Sequence, residues 1–245
     1  MQNEYIAHFG VKGMKWGVRK KKDVINSSDR TIKRGTEIQN VSSKKLDMSK
    51  NNRLYSAYTS YDKNAYVDIM ANFMYDRKGY KNTFLLKKDI KVPSDRKATE
   101  IFMDTVRQNP NQVAKDMAKA YNATHVISQR TEKYFKKKIS ELNSPDDRAD
   151  QKLAKEFMTS SVMHKSAKTS ANNFYANLVK RGYDAFSDSN DRDSFSQDPL
   201  VIVNLEVLGK PASMKLSKSD LDYYSEYTNE KEHTKQKKNL SEVQQ

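Results

Sequence analysis

The sequence predicts a mixed α+β fold, in which strands from both ends of the chain form a small mixed or antiparallel sheet around a large central helical insert. Runs that alternate apolar and polar residues lie before residue 93, and an almost continuously apolar run follows residue 199; both patterns are typical of strands. The stretch between them carries helical spacing and capping residues. At 245 residues and 36% hydrophobic, the chain is long enough for one such domain with an appendage. The predicted segments are 1–30, a tag and basic linker; 31–228, the α+β domain; and 229–245, a charged tail expected to be disordered.

Four runs near the two ends of the chain are strand candidates. The segments at 31–38 (TIKRGTEI) and 53–59 (RLYSAYT) alternate apolar and polar residues. The run at 82–92 predicts a further strand that ends at Pro93. The run LVIVNLEVL at 200–208 is almost continuously apolar, which is typical of a buried central strand. We therefore expect the last strand to pair beside the early ones.

An early helix is predicted after the second strand. Apolar residues keep helical spacing from Tyr66 to Met74. Gly79 follows in the position where glycine commonly ends a helix.

The middle of the chain predicts a run of helices with clear start and stop signals. Ser94 stands where an N-cap would begin a helix through residue 108, and Pro110 fits the first turn of the next helix. The string Ser144-Pro145-Asp146-Asp147 again offers a cap, a first-turn proline and first-turn acids. The remaining predicted helices span 130–143 and 144–181, and Gly182 ends the last of them.

The charge balance favours contact with polyanions without naming one. The chain has 45 Lys and Arg against 31 Asp and Glu, a formal net charge of +14, which raises the local concentration of nucleic acid. The basic residues are interspersed with acids along the predicted helices, a pattern typical of solvated faces. Proximity to DNA is therefore kept as one alternative.

Several classes of site are excluded or disfavoured by composition. The absence of cysteine excludes disulfides, thiolate nucleophiles and cysteine-based zinc sites. The acidic loop from Asp188 to Asp193 resembles a calcium loop but carries Arg192 at its fifth position and lacks the sixth-position glycine. With four histidines far apart in sequence, no metal is predicted. No apolar run approaches the ~20 residues that span a bilayer and no signal peptide is evident, so no membrane partner is expected.

The segment HFGVKGMKWGVR at residues 8–19 has the most distinctive residue pattern in the chain. Gly10, Gly13 and Gly17 recur at gaps of three and four between apolar residues, which disfavours a stable isolated helix. These residues allow two interpretations. The segment is either an extended recognition peptide or an N-terminal arm whose Trp16 packs against the protein's own domain.

This string resembles a short motif found near one end of otherwise dissimilar proteins of bacteriophages and prophages of Gram-positive bacteria, often encoded beside head and portal genes. A short sequence motif shared by otherwise unlike domains acts as a sorting or docking tag, because a catalytic site would need the same fold around it in each protein. The resemblance implies a phage protein directed to a head or portal component, located in the head interior of the virion and later in the host bacterial cytoplasm. The tag residues are His8, Gly10, Val11, Lys12, Gly13, Met14, Lys15, Trp16, Gly17 and Arg19.

The order of polar elements in the body resembles an ADP-ribosyltransferase core. In that family the first strand carries an Arg-Gly or His-Gly pair, and a second strand supplies a tyrosine or Ser-Thr-Ser element followed by a helix. The final strand presents a catalytic glutamate. Here Arg34-Gly35-Thr36, the stretch 53–66 and the segment 182–204 stand in that order. The resemblance covers roughly half the chain and implies that NAD is the cofactor.

The resemblance assigns NAD-binding roles to the first two elements. Arg34 matches the arginine that grips the pyrophosphate bidentately, and Gly35 lets the dinucleotide approach the backbone. In the second element hydroxyl groups would brace the site, and an aromatic ring would stack on the nicotinamide. The matching residues of that element are Ser56, Tyr58, Thr59 and Ser60.

The third position departs from the family pattern. The family's glutamate stabilises an oxocarbenium-like transition state, and losing such a charge costs about 10²-fold or more in rate. Gln197 and Asp198 occupy the matching place, and the Asp198 side chain is one methylene shorter than glutamate. The sequence therefore leaves open whether the domain is an active enzyme.

Three functional hypotheses follow from the sequence. The first is a phage effector, carried in the particle by its tag and delivered to the host, where its ADP-ribosyltransferase-like domain modifies a host protein. The second is a non-enzymatic minor or internal capsid protein associated with packaged DNA. The third is an inhibitor of a host defence system that acts by binding alone.

Overall fold

A computed structural model describes residues 28–42, 44–57, 79–124, 129–163, 168–188, 199–217 and 219. The chain divides into two compact units. A sheet unit contains Thr31–Ile90 and the chain from Asp184 onward, and a helical unit contains Lys91–Tyr183 with the residues up to Arg30. Across the described ranges, five α-helices and eight strands occur, which confirms the mixed α+β class and the central helical insert. None of the described helices is both long enough and apolar enough to cross a membrane.

The helical unit confirms the predicted run of helices and one of its predicted caps. Ser94 accepts the Lys97 N–H at 3.3 Å through its hydroxyl and so caps the first helix. Gly182 follows the last helix with a φ of 81°, the left-handed conformation that favours glycine. The helices are α1 Asp95–Gln108, α2 Pro110–Thr124, α3 Glu132–Ser140, α4 Arg148–Met163 and α5 Lys168–Lys180.

The predicted start of the fourth helix was wrong by a few residues. Ser144 does not cap it, because residues 144–147 form a turn in which the Asp147 N–H donates to the Ser144 carbonyl at 3.0 Å. The Asp147 carboxylate accepts the N–H groups of Ala149 and Asp150 at 2.7 and 3.1 Å. Asp147 is therefore the capping side chain of α4.

Three phenylalanines form the centre of the helical unit. Phe102 of α1, Phe157 of α4 and Phe174 of α5 are all fully buried. The Phe157 ring centroid lies 4.9 Å from that of Phe102 and 5.5 Å from that of Phe174, and the latter pair is edge-to-face. Such tilted and edge-on contacts add to the apolar area that the three rings bury.

The sheet unit contains a six-stranded sheet whose order is β6-β7-β3-β2-β4-β8. Its strand pairs in the described ranges are all antiparallel. The pairing of β7 with β3 confirms that a late strand lies beside an early one. The six strands are β2 Glu37–Ser42, β3 Leu54–Ala57, β4 Gly79–Leu85, β6 Ala185–Ser187, β7 Pro199–Ile202 and β8 Ala212–Leu216.

Two predicted strands are each divided in the structure. The segment 31–38 contains β1 (Arg30–Ile32), a turn and the start of β2, because Gly35 adopts a φ of 81° that no strand contains. The segment 82–92 contains β4 and β5 (Ile90–Val92), which are separated by residues 86–89. Strands β1 and β5 form a separate two-stranded sheet.

The remaining differences lie at strand ends. Gly79 begins β4 opposite Leu216, and the predicted helix before it lies outside the described residues. The last predicted strand stops at Ile202, and Leu205–Val207 form a 3₁₀ turn. Strand β8 was not predicted, although Ala212, Met214 and Leu216 alternate with Ser213 and Lys215.

A polar cluster around the buried Asn82 runs across the six-stranded sheet from β3 to the edge strand β8. Asn82 on β4 is fully buried and lies opposite Asn40 on β2 and Ser213 on β8. Its amide nitrogen donates to Asn40 Oδ1 at 3.2 Å and to Ser42 Oγ at 3.1 Å, and its amide oxygen accepts from Ser213 Oγ at 2.7 Å. Asn40 in turn donates to the Tyr55 carbonyl on β3 at 2.8 Å. We call Asn40, Ser42, Asn82 and Ser213 the asparagine cluster; it links four adjacent strands by side-chain hydrogen bonds.

The end of the N-terminal linker is fixed to the helical unit by one carboxylate. Asp29 accepts the Ser94 N–H at 2.8 Å and the Tyr183 hydroxyl at 2.7 Å. Burial and the hydrogen bond to Asp29 raise the pKa of Tyr183 to about 12. Burial opposes ionisation of Asp29, but the bonds from Ser94 and Tyr183 outweigh it and lower the pKa of that carboxyl.

This pair predicts a loss of stability at alkaline pH. A tyrosine whose pKa rises from 10.0 to about 12 on folding stabilises the fold fully below pH 10, and that contribution disappears as the pH rises toward 12. We expect Tyr183→Phe to cost about 1–2 kcal/mol at pH 8, because it removes the bond to a carboxylate. The difference between variant and wild type should shrink between pH 10 and 12 in urea unfolding followed by circular dichroism. A difference that stays constant over that range would contradict the assignment.

Candidate functional site

The predicted site segments adjoin one end of three neighbouring strands. Gln39 on β2 lies opposite Ala57 on β3, and Ala57 lies opposite Pro199 on β7. Both pairs are antiparallel, so the start of β2, the end of β3 and the start of β7 lie at the same end of the sheet. We call this the β2–β3–β7 end.

Arg34 and Gly35 lie in the turn directly before β2 and not on a strand, which corrects the predicted placement. The turn is closed by the Thr36 N–H, which donates to the Lys33 carbonyl at 3.1 Å. Gly35 occupies its third position with a φ of 81°, where type II turns require a positive φ. The Arg34 side chain is exposed, as the predicted role of gripping a ligand requires.

Asp89 holds this turn from the loop after β4. Its carboxylate accepts the Arg34 backbone N–H at 2.8 Å and the Lys33 ammonium at 2.9 Å. The hydrogen bond from Lys33 and that from the Arg34 N–H lower the pKa of Asp89. The Arg34 backbone is therefore fixed while its guanidinium extends outward.

Gly35 has a structural requirement that sequence reasoning did not identify. Its N–H donates to the Leu86 carbonyl at 2.8 Å, and no described atom lies within 4 Å of the place a Cβ would take. Glycine is favoured here by backbone conformation rather than by crowding. The same open space is compatible with the predicted approach of a ligand to the backbone.

Ser56 braces the sheet instead of facing an open surface. The residue is fully buried, and its hydroxyl donates to the Leu200 carbonyl on β7 at 2.9 Å. The bond joins β3 to β7, next to the end where the site is expected, and the predicted bracing of an NAD site stays a prediction.

The other predicted site residues lie outside the described ranges, as does the whole tag at 8–19. Tyr58 is the chain neighbour of Ala57, and Asp198 is the chain neighbour of Pro199. Each is therefore one peptide bond from a residue of the β3–β7 pair. Outside the described ranges are Tyr58, Thr59, Ser60, Gln197 and Asp198.

A buried acid at the same end was not singled out by the sequence. Asp188 follows β6, is 1% exposed, and donates its N–H to the Pro199 carbonyl at 3.0 Å. Sequence reasoning treated it only as the first residue of an acidic loop. Its place two residues after the apolar pair Ala185-Phe186 was the available signal. Within the described ranges, no three His, Asp or Glu side chains are grouped so that they could hold a metal ion.

The described part of the chain is a mixed α+β protein with an antiparallel six-stranded sheet, and the turn that carries Arg34 directly precedes β2 at the β2–β3–β7 end. Comparison with known proteins adds a family match at the N-terminus: residues 2–23 match the model of a family of unknown function (DUF7211). This range includes the predicted tag at 8–19. No curated protein and no solved structure matches the chain.

Proposed function

We propose that the chain is a bacteriophage-encoded, virion-associated protein, directed to the head by residues 8–19, with an ADP-ribosyltransferase-like domain that uses NAD in the host. The observation that supports the nucleotide site is the register at the β2–β3–β7 end. The three segments are separated by up to about 160 positions in the chain. They are connected to the same end of the sheet because β2, β3 and β7 are neighbouring strands. A site made from several strand ends is the usual way in which a sheet presents convergent polar groups.

The proposed chemistry divides among the three segments. The Arg34 guanidinium binds the pyrophosphate of NAD, and the ring of Tyr58 stacks on the nicotinamide. Asp198 provides the negative charge that stabilises the ribose as the bond to nicotinamide breaks. A nucleophile of a host protein then forms the new bond to the ribose, and nicotinamide leaves with the electron pair of the broken bond.

Arg34→Ala tests the nucleotide site directly. Loss of a charge-assisted bond worth about 1.5–3 kcal/mol predicts NAD binding about 10–100-fold weaker, measured by isothermal titration calorimetry. The matched control is Arg148→Ala, which removes an exposed arginine from the helical unit and should leave NAD binding unchanged. Wild-type protein that neither binds NAD nor releases nicotinamide would overturn the proposal, as would equal weakening by both variants.

A second candidate function is a non-enzymatic minor or internal capsid protein associated with packaged DNA. The observation that favours it is the net charge of +14, which suits a protein that lies against a dense polyanion. Both candidates place the chain in the virion. NAD turnover by the purified protein separates them, and mass spectrometry of purified virions tests the location that they share.

A further inference from the structure

Five exposed lysines lie on one surface formed by helices α2 and α3. Lys115 and Lys119 are one turn apart on α2, and Lys133, Lys136 and Lys137 recur at gaps of three and four on α3. Residues at such gaps share a helix face. All five side chains are exposed. We call them the lysine face: Lys115, Lys119, Lys133, Lys136 and Lys137.

The two helices pack side by side, since the ring centroids of Tyr121 on α2 and Phe135 on α3 lie 6.1 Å apart. Glu132, at the start of α3, accepts a bond from Lys136 at 2.8 Å. That hydrogen bond lowers the pKa of Glu132, and the charges of Lys115 and Lys119 on α2 lower it further. One glutamate therefore lies among lysines from both helices, and it neutralises only part of their charge.

The face retains a clear positive excess when its other acids are included. Residues 110–141 contain seven Lys or Arg against three Asp or Glu. Asp116 is one of those acids, but it is buried and accepts two hydrogen bonds from Ser170. Glu141 lies 3.9 Å from Lys137 and 3.1 Å from Lys138, so its charge is divided between two lysines.

The helices that carry the lysines are firmly joined. The Arg130 guanidinium lies 4.2 Å from the ring centroid of Tyr121 on α2 and 4.9 Å from that of Tyr134 on α3. It also pairs with Glu156 at 2.9 Å. The Asn122 side chain accepts the Arg130 N–H at 2.8 Å and donates to the Arg130 carbonyl at 3.0 Å. Arg130 therefore acts within the unit, and the lysines are the groups that face outward.

We propose that the lysine face binds the phosphate backbone of double-stranded DNA without sequence preference. The lysine ammonium is a compact, strongly hydrated charge that suits phosphate oxygens, and phosphate contacts carry no sequence information directly. A membrane surface fits less well, because α3 turns Phe135 and Ile139 into the core and leaves no apolar stripe to enter lipid. This surface lies in the helical unit, so the proposal goes beyond the NAD site and does not depend on it.

The test is fluorescence anisotropy of the full chain with a duplex of mixed sequence at several salt concentrations. The variant Lys115→Gln, Lys119→Gln, Lys136→Gln should bind about tenfold or more weakly at low salt. Its slope of log affinity against log salt should fall by about one for each phosphate that the variant no longer neutralises. The matched control Lys152→Gln, Lys180→Gln, Lys210→Gln removes the same charge from exposed lysines elsewhere and should keep most of the wild-type affinity.

Three results would overturn the proposal. The first is wild-type protein that shows no salt-dependent DNA binding. The second is equal weakening by the two triple variants, which would assign binding to net charge alone. The third is binding to phosphatidylserine vesicles that matches DNA binding in strength and disappears in the same variant. Circular dichroism of each variant confirms that the helices are intact, so that weaker binding reports the surface and not unfolding.

Discussion

Phe157→Ala is expected to lower the free energy of unfolding by about 3–5 kcal/mol, the usual cost of removing a buried phenylalanine ring. Phe157 is fully buried and contacts both Phe102 and Phe174. Its removal leaves a cavity where α1, α4 and α5 meet and deletes both ring contacts. A loss of this size approaches the whole stability of an ordinary domain. Urea unfolding followed by the helical circular dichroism signal measures it.

The matched control for this substitution is Val179→Ala on α5. Val179 is 44% exposed, so its truncation should change stability by no more than about 0.5 kcal/mol. If Phe157→Ala cost no more than this control, the three phenylalanines would not be the centre of the helical unit.

Asn82→Ala is the second large expected effect, with a predicted loss of about 2–4 kcal/mol. Asn82 is fully buried and makes three side-chain hydrogen bonds, to Asn40, Ser42 and Ser213. Its truncation creates a small cavity and leaves buried polar partners without that bond. Amide hydrogen exchange measures the effect, and exchange on β2 and β4 should speed up together because Asn82 links those strands.

Ser213→Ala is the control within the same cluster. Ser213 is exposed on an edge strand and gives Asn82 one bond, so its truncation should cost about 1 kcal/mol or less. The double variant Asn40→Ala, Asn82→Ala should cost less than the two single losses combined, because each single variant already breaks their shared bond. Strict additivity would show that the two asparagines act independently.

The helices could be predicted from sequence because their signals are local. The Ser94 cap, the proline at the start of α2 and the left-handed Gly182 all act within one or two turns of the chain. The error at α4 has the same origin. Ser144 and Asp147 both offer capping side chains within four residues, and only the folded turn decides between them.

The strands were predicted less well because pairing is not a local property. Gly35 is a local signal for the turn between β1 and β2, but nothing local indicates that these two strands belong to different sheets. Strand β8 alternates apolar and polar residues over only five positions, and its sequence does not indicate that β4 is its partner.

The candidate site could be predicted from the sequence only in part. The residue types at Arg34, Gly35 and Ser56 could be selected by resemblance, but their orientations could not. The Ser56 hydroxyl is buried and bonded to the Leu200 carbonyl, 144 positions away in the chain. The Arg34 backbone is fixed by Asp89, 55 positions away. The three segments share the β2–β3–β7 end because of the registers of these strands, and the sequence of one segment alone does not specify those registers.

The division of the sheet unit between the two ends of the chain determines the order in which the protein can be completed during synthesis. Strands β6, β7 and β8 all follow the helical unit in sequence, so the early strands leave the ribosome well before their partners. The helices depend mainly on nearby contacts, which form quickly, whereas the pairs β3–β7 and β4–β8 close loops of more than a hundred residues. On the ribosome, the helical unit can therefore fold before β6, β7 and β8 have been synthesised and can complete the sheet of β2, β3 and β4.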